Sequence, residues 1–402
     1  MIKVLNILNK ILCKFYILYL NRIINKETKF NSIRASDTLS HLKFEVDDQQ
    51  NIISELSRNL RQNTLSTYKD RFKDIHLKIM IHTPDEFSMG GQSVFENWVE
   101  GLNYMGVKTI SLPWNQPQNN VIKFFKPDLI LTSDHPKYLN QIDWDFIKYF
   151  RMEHECLFVL TASHEEDGNT PNRIRLEEAK KHDVDFFVSF QNEQHLSNNY
   201  HEWKDFGYNI LSIPFSGNPI TYYYPGTLNQ KYDFSFLGST NPDKAYRYFK
   251  YFSRILQLYK GIIIGPGWKF NKETTLKKNL HSNFYHSANI ALNLHIPSQI
   301  DNNTELNERT YSIACCGVFQ LIDNPKSLLS LFEDPNKIAS ASSPKEYIEL
   351  FEYFLNKPQK KTSYILYALE QVYSKNTIFH RMSTFIEYYL YYKSISSFKI
   401  KK

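Results

Sequence analysis

Cysteine is scarce: Cys13, Cys156, Cys315 and Cys316 are the four in 402 residues, with no Cys-x-x-Cys pair and no histidine at metal-ligand spacing. That excludes a disulfide framework and a zinc site legible from spacing, and a reducing compartment fits best. No block of one charge sign exists either. The formal charge of +6 is spread along the chain, which argues against nucleic acid and suits an anionic small molecule or an acidic membrane surface. Extended Gly/Ser-rich tracts are missing, so the chain is expected to fold nearly throughout. Long apolar runs are missing too. The opening "MIKVLNILNKILCKFYILYLNRIINK" is interrupted by Lys10 and Lys14, where a secretory or spanning segment needs an unbroken run. On a helical wheel Lys3, Lys10 and Lys14 fall near one another, and that pattern satisfies both an interfacial helix on anionic lipid and a helix packed on the protein's own surface.

What is present is an alternating pattern in a chain long enough for two domains. Residues 1–75 read as a helical extension and linker, with 30–75 polar and irregular. Then "HLKIMIH", the helical "QSVFENWVEGLNYM" and "VKTISL" form a strand, helix, strand unit. "DLILTS", "CLFVLTAS", "DFFVSF" and "YNILSIP" continue it, separated by helix-like segments such as "NRIRLEEAKKH". The turn-rich "PFSGNPITYYYPGTLNQKY" breaks the rhythm, and "DFSFLGS", "GIIIGPG", "IALNLH" and "VFQLID" begin a second series. The fold class is therefore α/β, with parallel sheets covered on both faces, in domains spanning 76–220 and 221–375 and a closing helix with a basic tail over 376–402.

Ligands of open parallel sheets sit beyond the carboxyl ends of the strands. In the first domain those positions hold Gly90 and Gly91, His135 and His164; in the second they hold Gly238 and Ser239, Gly265 and His295. In "GSTNPDK" a glycine lets backbone N–H groups approach a phosphate, and Lys244 at the following helix start, with Arg247 one turn on, supplies positive charge. In "LNERTYSIACCGVFQL" a helix beginning near Glu305 carries Asn307, Glu308 and Arg309 at its entrance: N–H groups suit a diphosphate, a carboxylate suits sugar hydroxyls, and arginine offers a fork of donors. Cys315, Cys316 and Gly317 read as small packing residues. The Asp-x-Asp pairs "DWD" and "DVD" look like helix and strand junctions rather than a metal site, and Glu165, Glu166 and Asp167 beside His164 read as a solvated loop.

Assembled, the pattern resembles the GT-B glycosyltransferases, over roughly residues 77–395. "PDEFSMGGQSVFENWVEGLNYMGVKTISL" is similar to the glycine-rich first loop and helix of that fold, and "FLGSTNPDK" to its phosphate loop. "IALNLHIPSQIDNNTELNERTYSIACCGVFQLID" resembles the C-terminal motif of CgeB-like spore maturation proteins and family-four-like glycosyltransferases. The resemblance implies two Rossmann-like domains facing a cleft, with an N-terminal helical extension and a last helix that crosses back to brace the first domain. It implies metal-independent transfer, with retention, from a nucleoside-diphosphate sugar as co-substrate and with no cofactor, to a glycan, lipid-linked or protein acceptor in cell-surface glycan assembly. The enzyme would be cytoplasmic and peripheral on the inner face of the membrane. Lys244 would neutralise the diphosphate with help from Arg247, residues 305–309 would line the donor sugar and phosphates, and His164 would face the acceptor or anomeric centre. His164, Lys244 and Glu305 are thus the implied catalytic set. Gly238, Ser239, Arg247, Gly265, His295, Asn307, Glu308, Arg309 and Ser312 are the donor side, and Gly90, Gly91 and His135 the acceptor side. Ser239 stands where related loops often carry Arg, and Ser312 where the motif usually has the ribose-binding Glu. A serine bonds a hydroxyl without the charge-assisted strength of a carboxylate. A non-catalytic nucleotide-sugar-binding or scaffold protein of the same fold is the alternative. A two-lobed binding protein of periplasmic type is disfavoured, because no cleavable export signal is legible.

Overall fold

The structure is a computed structural model. It describes residues 39–400 apart from 84–88, 114–117, 163–171, 194, 197–199, 227–229, 241, 269–274, 303–304, 324–327 and 330–331. The expected interfacial helix, Cys13, His164 and the acidic run Glu165, Glu166 and Asp167 lie outside the described residues. The chain forms two compact units, one from residues 65–218 with 377–400 and one from 39–64 with 219–376.

Helix α1 (Leu39–Tyr68) occupies sequence that reads as a linker or helical lead-in. Its buried stripe is Ile53, Ser57, Thr64 and Tyr68, spaced by whole helical turns, and the two hydroxyl residues in it conceal the apolar period. Arg61 fastens the helix by donating from Nε to the Pro219 carbonyl at 2.7 Å while its guanidinium lies 4.3 Å above the Tyr223 ring.

The first unit is a six-stranded sheet of β1 (Lys78–Thr83), β2 (Lys108–Pro113), β3 (Leu129–Ser133), β4 (Leu157–Thr161), β5 (Phe186–Ser189) and β6 (Ile210–Ser212). Its order is β2-β1-β3-β4-β5-β6 and every pairing is parallel, with Ile79 opposite Thr109 on one side and Leu129 on the other. Every residue of β4 is buried, as expected for a parallel strand covered on both faces. Helices α2 (Met89–Tyr104), α3 (Trp144–Glu153) and α4 (Asn172–Lys181) provide connections between these strands. Asp143 caps α3, its carboxylate accepting from the Phe146 N–H at 3.0 Å. Asp185 accepts from the Phe158 N–H at 2.7 Å and pairs with Arg151 at 2.8 Å, which ties the start of β5 to that of β4. Both aspartates therefore serve junctions.

The second unit is a four-stranded parallel sheet of β7 (Tyr232–Leu237), β8 (Gly261–Ile264), β9 (Ala288–Asn293) and β10 (Gln320–Ile322), in the order β10-β9-β7-β8. It carries α5 (Pro242–Leu258), α6 (Glu308–Cys315), α7 (Pro344–Asn356) and α8 (Lys361–Lys375). The chain then returns to the first unit as α9 (Ile378–Ile400), which packs on α2. Gly101 permits that contact: a Cβ there would lie 2.9 Å from the Ile378 side chain. Among the described residues no helix is long and apolar enough to cross a membrane.

Strand order fixes where each sheet can hold a ligand. In the first unit β1 lies between β2 and β3, and in the second β7 lies between β8 and β9. At such a point neighbouring connections leave toward opposite faces of the sheet and open a crevice beyond the strand ends. Gly238 and Ser239 follow β7 and His295 follows β9, so this crevice of the second unit collects the donor-side candidates.

Candidate functional site

The β7 and β8 ends interlock first. The Gly238 N–H donates to the Ile264 carbonyl at 2.9 Å, the Thr240 N–H to Pro266 at 2.8 Å, and Trp268 Nε1 to the Gly238 carbonyl at 2.8 Å. Gly265 has φ of +152°, and a Cβ there would collide with the Gly238 carbonyl, so only glycine fits. Two cations flank this turn. Lys244, in the first turns of α5, reaches back to Ser239 Oγ at 3.2 Å. Arg309 donates from Nε to the Leu237 carbonyl at 2.8 Å and from Nη1 to Asn293 Oδ1 and the Leu294 carbonyl, each at 3.2 Å. Its guanidinium lies 4.7 Å from the Phe236 ring centroid, and a Cβ on Gly238 would come within 2.5 Å of Nη2.

The entrance to α6 differs from the sequence reading. The helix starts at Glu308, not near Glu305, because Asn307 caps it, accepting the Thr310 N–H on Oδ1 at 3.0 Å. Asn307 Nδ2 donates to Asn293 Oδ1 at 2.8 Å, which clasps α6 to the end of β9. Glu305 precedes the helix, is 4% exposed, and accepts from Gln299 Nε2 at 3.1 Å. Glu308 stands in the first helical turn, half-buried. Ser312 is buried farther along α6, and its Oγ has no hydrogen-bond partner among the described residues.

Arg247, expected to help Lys244 with the diphosphate, has its guanidinium engaged by a carboxylate. Asp323, just beyond β10, takes it at 2.6 Å through Nη2 and 3.1 Å through Nε. Burial works against the Arg247 charge, but the Asp323 carboxylate outweighs it and the guanidinium is held more firmly protonated than usual. The same carboxylate accepts the His295 N–H at 3.0 Å and lies 2.7 Å from His295 Nδ1. His295 is fully enclosed, with Nε2 lacking a partner among the described residues. Asp323 was missed in the sequence, where its one signal is a carboxylate closing the apolar run "VFQLI". Asn293 and Tyr347 were missed as well; the Tyr347 hydroxyl donates to the Leu321 carbonyl at 2.9 Å and accepts the Asn293 N–H at 3.3 Å. Burial raises the Cys316 thiol to about 12 and Cys315 well above its usual value, so neither is a ready nucleophile.

The acceptor-side candidates belong to the first unit. Gly90 and Gly91 lie in the first turn of α2, and His135 stands two residues beyond β3 at that sheet's own crevice, its N–H donating to Ser133 Oγ at 3.1 Å. Beside it Asp134 and Arg175 form a buried pair at 3.6 Å. Among the described residues no group of three or more His, Cys, Asp or Glu side chains could hold a metal ion.

Residues 249–387 match a family model described as "Glycosyl transferase-like". The matched span includes Gly265, His295, Asn307, Arg309 and Asp323, but not the β7 turn or Lys244. No curated protein matches by sequence. Among solved structures, an alpha-glucosyltransferase in complex with UDP and mismatched DNA is similar over 79% of this chain and 100% of its own, at 9% identity and a TM-score of 0.53. Anabaena HepE in complex with UDP-glucose is similar over 80% of this chain and 100% of its own, at 11% identity and a TM-score of 0.51. The chain has the GT-B fold. A glycosyltransferase from Rickettsia africae is also similar, over 79% and 98% of the two chains, at 11% identity and a TM-score of 0.48. Within the GT-B fold the Lys244 and Arg309 cluster occupies the carboxyl end of the second sheet, where backbone N–H groups and helix starts suit an anion.

Proposed function

We propose that the protein is a glycosyltransferase that takes a nucleoside-diphosphate sugar as donor, with the second unit holding the donor. The observation that carries this reading is the pair of cations, Lys244 at Ser239 and Arg309 at Gly238, on a turn that only glycine can make. Transfer leaves a diphosphate, and positive charge preorganised beside it lowers the barrier most where water is excluded. Arg309 is the better fixed of the two, since three bonds to main-chain and side-chain oxygens set its plane. Lys244 is the more mobile point charge, suited to follow the diphosphate as the glycosidic bond breaks. Asn307 and Glu308 stand at the α6 entrance, within reach of donor hydroxyls, and His295 and Asp323 brace the end of β9.

The finer proposals rest on the family resemblance. Transfer is retaining and needs no metal; the acceptor is a glycan, a lipid-linked sugar or a protein in cell-surface glycan assembly. The first unit, with Gly90, Gly91, His135 and His164, binds the acceptor, and the protein works in the cytoplasm at the inner membrane face. A panel of UDP, GDP, ADP, CMP and dTDP forms and their sugars, read by thermal shift and slow donor hydrolysis, tests the core of this reading. A selective shift with hydrolysis of one donor, both lost in Lys244→Ala, is expected; no shift with any nucleotide sinks it. Ser239 and Ser312, standing where the related motifs carry Arg and Glu, favour one second reading, a binder of nucleotide sugars that does not turn them over, and a shift without hydrolysis would select it.

A further inference from the structure

The second unit buries a lysine at the start of α8. Lys361 is the first residue of that helix and 7% exposed. Its Nζ donates to the Asn289 carbonyl at 3.2 Å, and among the described residues no carboxylate pairs with it. It lines a cavity of about 50 Å³ with Gln49, Gln50 and Ile53 from α1, Asn289 from β9, and Thr362. Among the described residues the remaining lining contains no acidic side chain, and its one other titratable group, His286, is kept neutral by burial.

Burial disfavours a cation here, the Asn289 carbonyl being the one acceptor that Nζ finds among the described residues. It sits at the positive end of a helix, whose first turn holds no acid, and Lys357 and Lys360 precede it in the chain. The same surroundings favour an anion at the same place. Lys360 at the N-cap makes no side-chain capping bond, so the helix start lacks a side-chain acceptor. Gln49 Oε1 accepts from Thr362 Oγ1 at 2.7 Å and Gln50 Oε1 from the Tyr224 hydroxyl at 3.2 Å, which leaves both amide nitrogens as donors.

We propose that Lys361 is a carbamylation site that takes up dissolved carbon dioxide reversibly. The Nζ lone pair bonds to the carbon, one carbon–oxygen π pair moves onto oxygen, and the displaced N–H proton passes to buffer base, leaving Nζ–COO⁻. Burial pushes the ammonium down to about 8, so the nucleophilic free base is populated near neutral pH, where an exposed lysine has almost none. Room is sufficient, because a water needs only about 10–15 Å³ on the same measure and the reaction adds three heavy atoms.

The test uses the full-length protein in isotopically labelled bicarbonate, followed by carbon NMR, beside a chloride control of equal ionic strength. A carbamate resonance present in wild type and lost in Lys361→Met, above the background of the chain's amino terminus, is expected, together with a thermal midpoint that bicarbonate raises in wild type alone. Identical spectra for the two proteins overturn the proposal. Should Lys361→Met not fold, alkylative trapping of wild type with peptide mapping decides it: a trapped carboxyl mass on Lys361 supports the site, and its absence there overturns it.

Discussion

Asp323 has a demanding position in the second unit, since one buried carboxylate holds both Arg247 and His295. Asp323→Asn should remove the charge that balances Arg247 and cost about 3–5 kcal/mol, as breaking a buried pair from one side does, measurable by denaturant unfolding. Lys244 is a different case. Lys244→Ala should lower turnover about 100- to 1,000-fold while leaving the unfolding midpoint nearly unchanged, whereas Cys316→Ala should leave turnover near wild type. Lys361 makes a pH prediction with a definite sign. Its folded value of about 8 lies below the 10.5 of an unfolded lysine, so between those values the unfolded chain binds the extra proton. In buffer free of carbon dioxide, stability should therefore rise as pH climbs from about 8 toward 10.5, with the cost fully present below that window. Lys361→Met should raise the midpoint at neutral pH and flatten that rise. The residue types of the candidate site were legible in the sequence, because glycine after a strand and lysine or arginine near a helix start announce themselves. Their partners were not: Arg247 and Asp323 are 76 positions apart, and no local pattern encodes such a bond.

At the scale of elements, the strands were the easiest to read, since "LFVLT" and its fellows are short, apolar and bounded by polar turns. Helix α1 lies where the sequence leaves a linker and a helical lead-in both open, because Ser57 and Thr64 stand in its buried stripe and weaken the period that marks a helix. The start of α6 was misplaced for a related reason. Glu305 looks like a first-turn acid, but Asn307 has the capping geometry, and a cap is decided by which side chain reaches the N–H two or three residues on. The interlocked turns after β7 and β8 carry their own expectation. Gly265→Ala should force the Gly238 carbonyl out of place, and nucleotide-induced thermal shift should vanish along with a loss of stability. A mutant that retains the full shift would show that this turn does not shape the site.

At the scale of the whole molecule, the two units are not successive segments of the chain. The chain passes from one unit to the other near residues 64, 218 and 376, so neither unit is a continuous segment. Deleting residues 377–400 should uncover the face of α2 that α9 covers, including the close approach at Gly101, and lower the unfolding midpoint of the first unit before that of the second. Limited proteolysis of the shortened protein, with cleavage mapped to residues 65–218, is the measurement. The sequence pattern conveyed two sheets and the family resemblance a returning last helix, while the membership of residues 39–64 in the second unit rests on distant contacts such as Gln49 with Thr362.

The return of α9 also sets a timetable. A ribosome adds about 5–20 residues each second, and the strands of the first sheet emerge well before those of the second. Yet the helix that packs on α2 is made after the last strand of the second sheet, so the earlier sheet waits with that face uncovered while the later one is synthesised. The sheet made first thus belongs to the unit finished last, and during that interval the uncovered face of α2 is open to a chaperone.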